Sequence, residues 1–308
     1  MPDTGPSVLL TGATGFIGGR LLPRLLDQGL KPRCLVRSAE KFQTRFPGLG
    51  AIDCVQGDLT DGTGLDRALD GIETAYYLVH SMGSSPKIGQ DFAEKDKQAA
   101  RNFCTAADRA GLRRVIYLSG LGEHQETLSK HLRSRQEVGR VLASGSAQAT
   151  ELRAGVIIGA GGASFEIIRH LVERLPLMIA PMWVNTRCQP IAVDNVMDYL
   201  LGCLNNPETA GQILEICGPE ELSYRELILC YANVRRLKRA IISVPVLTPK
   251  LSSYWVQLVT PISGGVVHPL IQGLKNNVVC RENRIRDLVP VTLIPMREAI
   301  SMAIEESL

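Results

Sequence analysis

The sequence has no excess of charge of either sign and no long apolar run. Its 34 basic and 31 acidic residues leave a net charge of +3, which is too even to predict nucleic-acid binding. No run of about 18 purely apolar residues occurs, so a membrane-spanning helix is not expected. The first residues lack the basic flank and apolar stretch of a signal peptide. These absences favour a cytoplasmic protein, and a hydrophobic content of 45% is enough for a sizeable core.

The eight cysteines also lack a pattern. They form no CxxC pair and no Cys/His cluster with zinc spacing, so no metal site is predicted. Most stand inside apolar runs, as Cys34 does before Leu35. We therefore expect buried thiols in a reducing compartment.

The first half of the chain alternates short apolar strands with helical stretches. Apolar strands separated by helices predict a parallel sheet covered on both faces, with right-handed crossovers. The expected fold is α/β: a Rossmann-type doubly wound parallel sheet with a smaller, mostly helical C-terminal lobe. The expected strands are residues 8–10, 34–36, 52–55, 75–79 and 115–118, with the longest helix at 92–110. The boundary is placed between residues 1–159 and 160–308, with residues 189–218 returning to the first unit.

The stretch from residue 251 to residue 274 contains no Asp, Glu, Lys or Arg. Its prolines and glycines make it too broken to span a bilayer. Two interpretations stay open. It forms a core-packing lobe or pocket wall, or it forms an apolar substrate channel or a membrane-facing surface. The basic residues at 235–239 lie just upstream and suit a peripheral membrane or protein partner, but a solvated helix end explains them equally well.

A glycine pattern joins the first strand to the first helix, in the segment TGATGFIG at residues 11–18. Gly12 permits a tight turn, Gly15 lets the backbone approach a pyrophosphate, and Gly18 lets the helix pack closely on the strand. The N-terminus of the helix then offers N–H groups and its dipole to an anion. Because strand, glycines and helix agree, residues 1–159 are expected to bind a dinucleotide.

The residue that follows the second strand indicates which of the two dinucleotides, NAD(H) or NADP(H), the chain binds. An acidic residue there would bind the ribose 2′-hydroxyl of NAD, but the sequence has Arg37. Because an arginine suits a 2′-phosphate, NADP(H) is favoured over NAD(H). After the third strand, Asp58 could accept a hydrogen bond from the adenine amino group while Leu59 packs on the ring; Asp58 could equally be a turn residue.

Together these residues resemble the short-chain dehydrogenase/reductase superfamily, in its atypical and extended branch, and NmrA-like NAD(P)-binding proteins in particular. The segments that carry the resemblance are TGATGFIGG at 11–19, GDLTD at 57–61, YYLVHSMG at 76–83, VIYLSGLG at 115–122, ELRAGVIIG at 151–159 and QPIAVDNV at 189–196. They cover most of the chain and follow the family's order.

The resemblance implies a role for each matching residue. Gly12, Thr14, Gly15, Phe16 and Ile17 would cradle the pyrophosphate. Asp58 and Leu59 would flank adenine, Val79 and His80 would border the nicotinamide ribose, and the loop around Gly155 would close over the nicotinamide. Ser119 falls where the family keeps a catalytic Ser or Thr.

The sequence departs from the family at its catalytic pair. No Tyr-x-x-x-Lys follows Ser119, and the equivalent positions hold His131 and Arg135. A lysine lowers the pKa of the tyrosine in the family's pair, whereas an arginine hardly deprotonates. Either His131 donates a proton, or the pair is lost and His131 is a polar helix residue. His80 is a second candidate donor.

Two classes of function stay open. The first is a reductase that moves a hydride from NADPH to a small apolar or aromatic carbonyl or quinone, whose electrophilic acceptor needs little acid–base help. The second is a non-catalytic NADP(H)-bound redox sensor or accessory subunit, favoured by the missing tyrosine and lysine. Epimerisation of a sugar nucleotide is disfavoured because that chemistry depends on the tyrosine. No nucleic-acid partner is expected.

Overall fold

The structure is a computed structural model that describes residues 7–49, 52–80, 92–122, 129–244, 259–262, 264–274 and 276–308. Its central sheet has seven parallel strands: β1 (Val8–Thr11), β2 (Arg33–Val36), β3 (Cys54–Gln56), β4 (Thr74–Tyr77), β5 (Arg114–Gly120), β6 (Gln148–Ala154) and β11 (Ile213–Ile216). They lie in the order β11-β6-β5-β4-β1-β2-β3. The order reverses between β1 and β4, as in a doubly wound sheet.

Helices cover both faces of this sheet. They are α1 (Gly18–Asp27), α2 (Ala39–Arg45), α3 (Leu65–Leu69), α4 (Phe92–Ala110), α5 (Lys130–Ala143) and α7 (Val193–Asn205). Leucines of α1 and α7 share one buried cluster, and apolar residues of α3, α4 and α5 form a second one on the opposite face. Two buried faces explain why the strands read as continuous apolar runs. The predicted Rossmann-type fold is confirmed.

The second half of the chain adds a smaller lobe with its own apolar core. Its helices are α6 (Ala163–Arg174), α8 (Tyr224–Val234), α9 (Gly264–Gly273) and α11 (Met296–Glu306). The short helix α10 (Arg284–Leu288) instead packs its buried Ile285 into the core of the main sheet. Three strand pairs brace the lobe: β7 (Ile157–Ile158) with β10 (Ile191–Ala192), β9 (Arg187–Cys188) with β12 (Leu222–Ser223), and β8 (Leu177–Pro181) with β13 (Ala240–Val244). Strand β11 belongs to this half of the sequence but pairs with β6 in the main sheet.

One disulfide joins two segments of the second half of the chain, and the expectation of thiols throughout is wrong for this pair. Cys217, directly after β11, is bonded to Cys280, 63 residues further on. Sequence spacing could not reveal the bond, because it depends on β11 returning to the sheet beside the segment that carries Cys280. The other six cysteines are free thiols, three of them buried.

The uncharged stretch of residues 251–274 is described only in part. Tyr254 and Trp255 lie outside the described residues, whereas Leu270 and Leu274, on and just after α9, form part of a cavity wall. Among the helices that the structure describes, none is long and apolar enough to cross a membrane.

Candidate dinucleotide and substrate site

One threonine ties together the two strands that flank the reversal point of the sheet. Thr11, at the end of β1, donates its hydroxyl to the carbonyl oxygen of Tyr76 at 2.9 Å and accepts from the Leu78 backbone N–H at 3.1 Å. The neighbouring strands β1 and β4 are thereby tied at their carboxyl ends. Ligands of doubly wound sheets bind at such a point.

The glycine loop between β1 and α1 has no room for a side chain at Gly12 or at Gly18. Gly12 has a positive φ of +72°, and a Cβ on it would lie 2.6 Å from the carbonyl oxygen of Leu78. The Gly15 N–H donates to the Gly12 carbonyl at 2.8 Å. A Cβ on Gly18 would lie 2.3 Å from that same Gly12 oxygen. The loop is therefore a cradle that added methyl groups would fill, which fits a pyrophosphate resting against bare backbone.

The N-terminus of α1 is open to an anion. Ile17 is the N-cap residue and its apolar side chain forms no capping hydrogen bond, and the first turn of the helix holds no acidic residue. Thr14 and Gly15 are exposed. The free N–H groups and the helix dipole therefore point at the cradle without a competing carboxylate.

Phe16 connects the cradle to the second lobe. A Cβ added to Gly159 would lie 3.3 Å from the Phe16 ring, and one added to Gly162 would lie 2.8 Å from it. The Arg20 guanidinium stacks on the same ring, 4.7 Å from its centroid, and donates to the Ala160 carbonyl at 2.8 Å. Phe16 is therefore locked against the loop that follows β7.

The residues expected at the adenosine end lie at the carboxyl ends of β2 and β3. Arg37 is exposed and forms no ion pair with any residue that the structure describes. Asp58 accepts from the Thr60 N–H at 2.8 Å, so one of its oxygens stabilises a turn. Leu59 is buried in the core beneath that turn. Arg33, the other arginine of this strand region, begins β2 and therefore lies at the amino-terminal end of the strand, away from Arg37. There it pairs with Asp53 at 2.7 Å.

Two histidines and a buried aspartate form a hydrogen-bonded chain beside β4 and β5. His80 Nδ1 lies 2.9 Å from Asp96 Oδ2, and His80 Nε2 lies 3.0 Å from His131 Nε2. Asp96 is 3% exposed. The structure thus brings together both histidines that the sequence offered as proton donors.

Burial controls the charge of this chain. Burial, with help from the neighbouring His80 and Arg135, lowers the pKa of His131 to about 3. Burial also lowers the pKa of His80, although its hydrogen bond to Asp96 opposes the shift. Both imidazoles are therefore neutral at pH 7.

Arg135 fixes the backbone around the histidines. Its guanidinium donates to the carbonyl oxygens of Val79, at 3.3 Å, and of Leu118. It also stacks on Tyr117, whose hydroxyl donates to the Arg135 carbonyl at 2.9 Å. Burial raises the pKa of Tyr117 to about 12, so this tyrosine stays neutral. Arg135 thus ties the ends of β4 and β5 together.

Ser119 lies near the end of β5 and is 4% exposed. Its hydroxyl oxygen is buried and has no hydrogen-bond partner within the described part of the chain. An unpartnered buried hydroxyl costs free energy, which sets Ser119 apart from most buried polar groups. Ser119 itself is not part of the cavity wall described next, although its neighbour Gly120 is.

A cavity of about 300 Å³ opens between the sheet and the second lobe. No residue of its described lining is an acid, a lysine or an arginine, and His131 is the one titratable imidazole in it. Phe16 and Gly155 lie in its wall, so it reaches from the dinucleotide cradle to His131. Much of the remaining lining is aliphatic or aromatic: Leu121, Leu132, Val156, Ile157, Ile167, Ile168, Leu171, Trp183, Ile228, Leu270, Ile271 and Val278.

Asp96 was not among the site residues predicted from the sequence, although the helix pattern around it indicates that it is buried. The buried positions of α4 are Asp96, Ala99, Ala100, Phe103, Ala106 and Ala107. Asp96 is therefore an acid on the core-facing stripe of an amphipathic helix. A buried carboxylate needs a partner, and that requirement points to a site.

A comparison with known families matches residues 12–169, slightly more than half of the chain, to a family described as NAD(P)H-binding. The ceramide reductase of Caulobacter vibrioides is 26% identical over 245 residues, which cover 79% of this chain and 75% of that protein. The 3 beta-hydroxysteroid dehydrogenase/Delta 5-->4-isomerase of Mycobacterium tuberculosis is 30% identical over 119 residues, 36% of this chain. That match spans only 31% of the dehydrogenase's own length.

Solved structures show the same fold over nearly the whole chain. A nucleoside-diphosphate-sugar epimerase from Staphylococcus aureus superposes with a TM-score of 0.76 at 16% identity, covering 96% of this chain and 99% of that one. MoeE5 in complex with UDP-glucuronic acid and NAD gives a TM-score of 0.73 at 18% identity, covering 97% and 98%. The family match covers just over half of the chain and agrees with the glycine cradle, so the chain belongs to the NAD(P)H-binding family, and the solved structures show that its fold extends over nearly the whole chain.

Proposed function

We propose that the protein is an NADP(H)-dependent oxidoreductase that reduces a carbonyl group on an apolar substrate. The observation that carries this proposal is the apolar cavity that runs from Phe16 of the cradle to His131. When bound, the dinucleotide supplies the hydride that adds to the carbonyl carbon. The chain's own residues must then bind the apolar body of the substrate, exclude water and supply a proton to its oxygen.

The choice of NADP(H) is supported by Arg37. An exposed guanidinium at the carboxyl end of β2, without a described carboxylate partner, can form a bidentate contact with a 2′-phosphate. The acidic residue that would hold a free ribose hydroxyl is absent from this position.

The choice of an apolar substrate is supported by the lining of the cavity. A sugar nucleotide carries a diphosphate that needs cationic partners, and the described wall offers no lysine or arginine. The likeness to the epimerase structures, at 16% and 18% identity, therefore concerns the fold alone. Relatives named as a ceramide reductase and a hydroxysteroid dehydrogenase suggest a lipid-like ketone or alcohol. A cavity of about 300 Å³ suits a compact ring system or a folded chain.

Two side chains are assigned to the reacting oxygen. His131 lies in the cavity wall and stands at the position equivalent to the family's tyrosine. The Ser119 hydroxyl has no partner within the described part of the chain and would donate a hydrogen bond to the same oxygen. Gly155 and Val156 would cover the reacting ring, because they line the cavity directly after β6.

Turnover with a panel of acceptors tests the proposal. NADPH consumption is followed at the reduced-nicotinamide absorbance with a bicyclic ketone, a long-chain ketone, a naphthoquinone and UDP-glucose. We expect oxidation with at least one of the three apolar acceptors and none with UDP-glucose. Tight NADPH binding without oxidation by any acceptor would reject the reductase and favour a non-catalytic sensor.

A matched pair of variants tests the cavity. Ile167→Trp fills the wall, so the KM of the apolar acceptor should rise at least tenfold while the Kd for NADPH stays within twofold. Ile179→Trp makes the same change on an exposed strand face, where Ile179 is 51% exposed, and should alter neither constant. Equal KM values in both variants would place the acceptor elsewhere.

A further inference from the structure

We propose that Asp96, His80 and His131 form a proton relay that replaces the family's tyrosine and lysine, with His131 as the residue that touches the substrate. The inference rests on the proposed reductase function and adds a proton source to it. Three observations carry it: the 2.9 Å contact of Asp96 with His80, the 3.0 Å contact between the two imidazoles, and the place of His131 in the cavity wall.

The hydrogen bonds fix the tautomers of the resting chain. The ionised Asp96 carboxylate accepts from His80 Nδ1–H, so His80 Nε2 carries a lone pair. His131 Nε2 must then donate to His80 Nε2, because one of two nitrogens 3.0 Å apart has to carry the proton. This arrangement leaves His131 Nδ1 as the nitrogen available to a molecule in the cavity. The resting pair is thus prepared to accept a proton.

Uptake of one proton reverses the direction of the inner hydrogen bond. His80 becomes an imidazolium that is held by Asp96, and its Nε2–H now donates to His131 Nε2. His131 then carries its own proton on Nδ1. The carboxylate is essential to this state, because a buried imidazolium without a counter-charge would be expelled from the site.

Delivery of the proton balances the proposed reduction. The carbonyl carbon gains the hydride that the proposed function takes from reduced nicotinamide, and the π bond to oxygen breaks. The oxygen takes the proton from His131 Nδ1, and His131 Nε2 takes one from His80 Nε2. Both imidazoles end neutral in the resting tautomers, and solvent reloads the pair.

The groups around the two histidines determine at which pH the pair takes up its additional proton. Asp96 on α4 favours the loaded state, and the Arg135 guanidinium on α5 opposes it. Tyr77 on β4 and Tyr117 on β5 stay neutral because burial raises the pKa of each. Since burial lowers the pKa of both histidines, the pair is unloaded at pH 7. Reduction should therefore quicken as pH falls below 7, whereas alcohol oxidation should be fast at neutral pH and slow down in acid.

Asp96→Asn tests the relay through its pH profile. The substitution removes the carboxylate that supports the loaded state, so kcat for reduction at pH 6 should fall at least tenfold and the profile should move to lower pH. The KM of the acceptor and the Kd for NADPH should stay within twofold. His170→Gln removes a histidine outside the relay and should change none of these values. An unchanged profile in Asp96→Asn would overturn the relay.

Two further measurements keep the test independent of folding defects and of turnover. In His131→Ala, added imidazole should restore at least a tenth of the lost kcat, which a merely structural defect would not allow. Nitrogen-15 NMR of the protein without dinucleotide should show, at pH 8, His80 as the Nδ1–H tautomer and His131 as the Nε2–H tautomer. Two histidines that titrate independently near pH 6.5 would refute the pair, even if no acceptor were ever found. NADPH turnover that survives in both Asp96→Asn and His131→Ala would refute the relay while leaving the proposed reductase function intact.

Discussion

The substitution Gly18→Ala tests most sharply whether the glycine cradle holds the dinucleotide. The new Cβ would lie 2.3 Å from the Gly12 carbonyl oxygen and 2.8 Å from its carbon, whereas ordinary contact begins at 3.4 Å. Both partners are backbone atoms, so α1 has to retreat from β1 by about 1 Å. That retreat opens the cradle from the helix side.

The magnitude follows from two opposing effects. Overpacking of this kind costs about 1–3 kcal/mol, and the better helix propensity of alanine offsets up to about 1 kcal/mol. With the full offset, we therefore expect a net loss of about 0–2 kcal/mol in the free energy of unfolding. The Kd for NADPH should rise at least tenfold, which corresponds to about 1.4 kcal/mol of binding.

Gly19→Ala is the matched control for this prediction. It makes the same change one residue further along α1, where the nearest contact of the Cβ would be the end of the flexible Arg45 side chain, at 2.9 Å, and the Ala13 carbonyl oxygen would lie at an ordinary contact distance of 3.4 Å. Urea unfolding should show equal or slightly higher stability for this variant, and fluorescence titration should give an unchanged Kd. If Gly18→Ala behaved like Gly19→Ala in both assays, the close approach of α1 to Gly12 would not matter for binding.

Two other variants follow from the same structure. Arg37→Ser should raise the Kd for NADPH about tenfold and leave the Kd for NADH unchanged, since only a 2′-phosphate would lose a charged partner; equal effects on both dinucleotides in calorimetric titrations would remove the basis for the NADP(H) preference. Cys217→Ser opens a loop whose ends are 63 residues apart, so the chain-entropy relation predicts a loss of about 4 kcal/mol in urea unfolding. Cys230→Ser, which changes a free thiol, should lose far less, and a reductant should destabilise the unmodified protein but not Cys217→Ser.

Local sequence patterns were enough to predict the fold and the dinucleotide cradle. The glycine spacing, the apolar strand before it and the helix after it are neighbours in the chain, so their meaning does not depend on the rest of the fold. The longest helix, Phe92–Ala110, also lies where its pattern places it. Long buried helices and strands leave a strong periodic signal.

The remaining features depend on contacts between distant segments. Asp96 is separated from His80 by 16 residues and His80 from His131 by 51, so only the sheet brings the three side chains together. The second lobe is braced by strands such as Ile157–Ile158 and Leu222–Ser223, which are too short for an alternating pattern to be recognised. The disulfide and the cavity wall arise from the same long-range packing.

The most direct test of the proposed function follows the hydride itself. The protein is mixed with NADPH that carries deuterium at the transferable position of nicotinamide C4 and with the apolar acceptor that the turnover panel selects. Mass spectrometry of the product alcohol should show one deuterium per molecule, together with a matching loss of reduced-nicotinamide absorbance. Tight NADPH binding with constant absorbance and an unlabelled acceptor would contradict the oxidoreductase and leave a protein that binds the dinucleotide without using it.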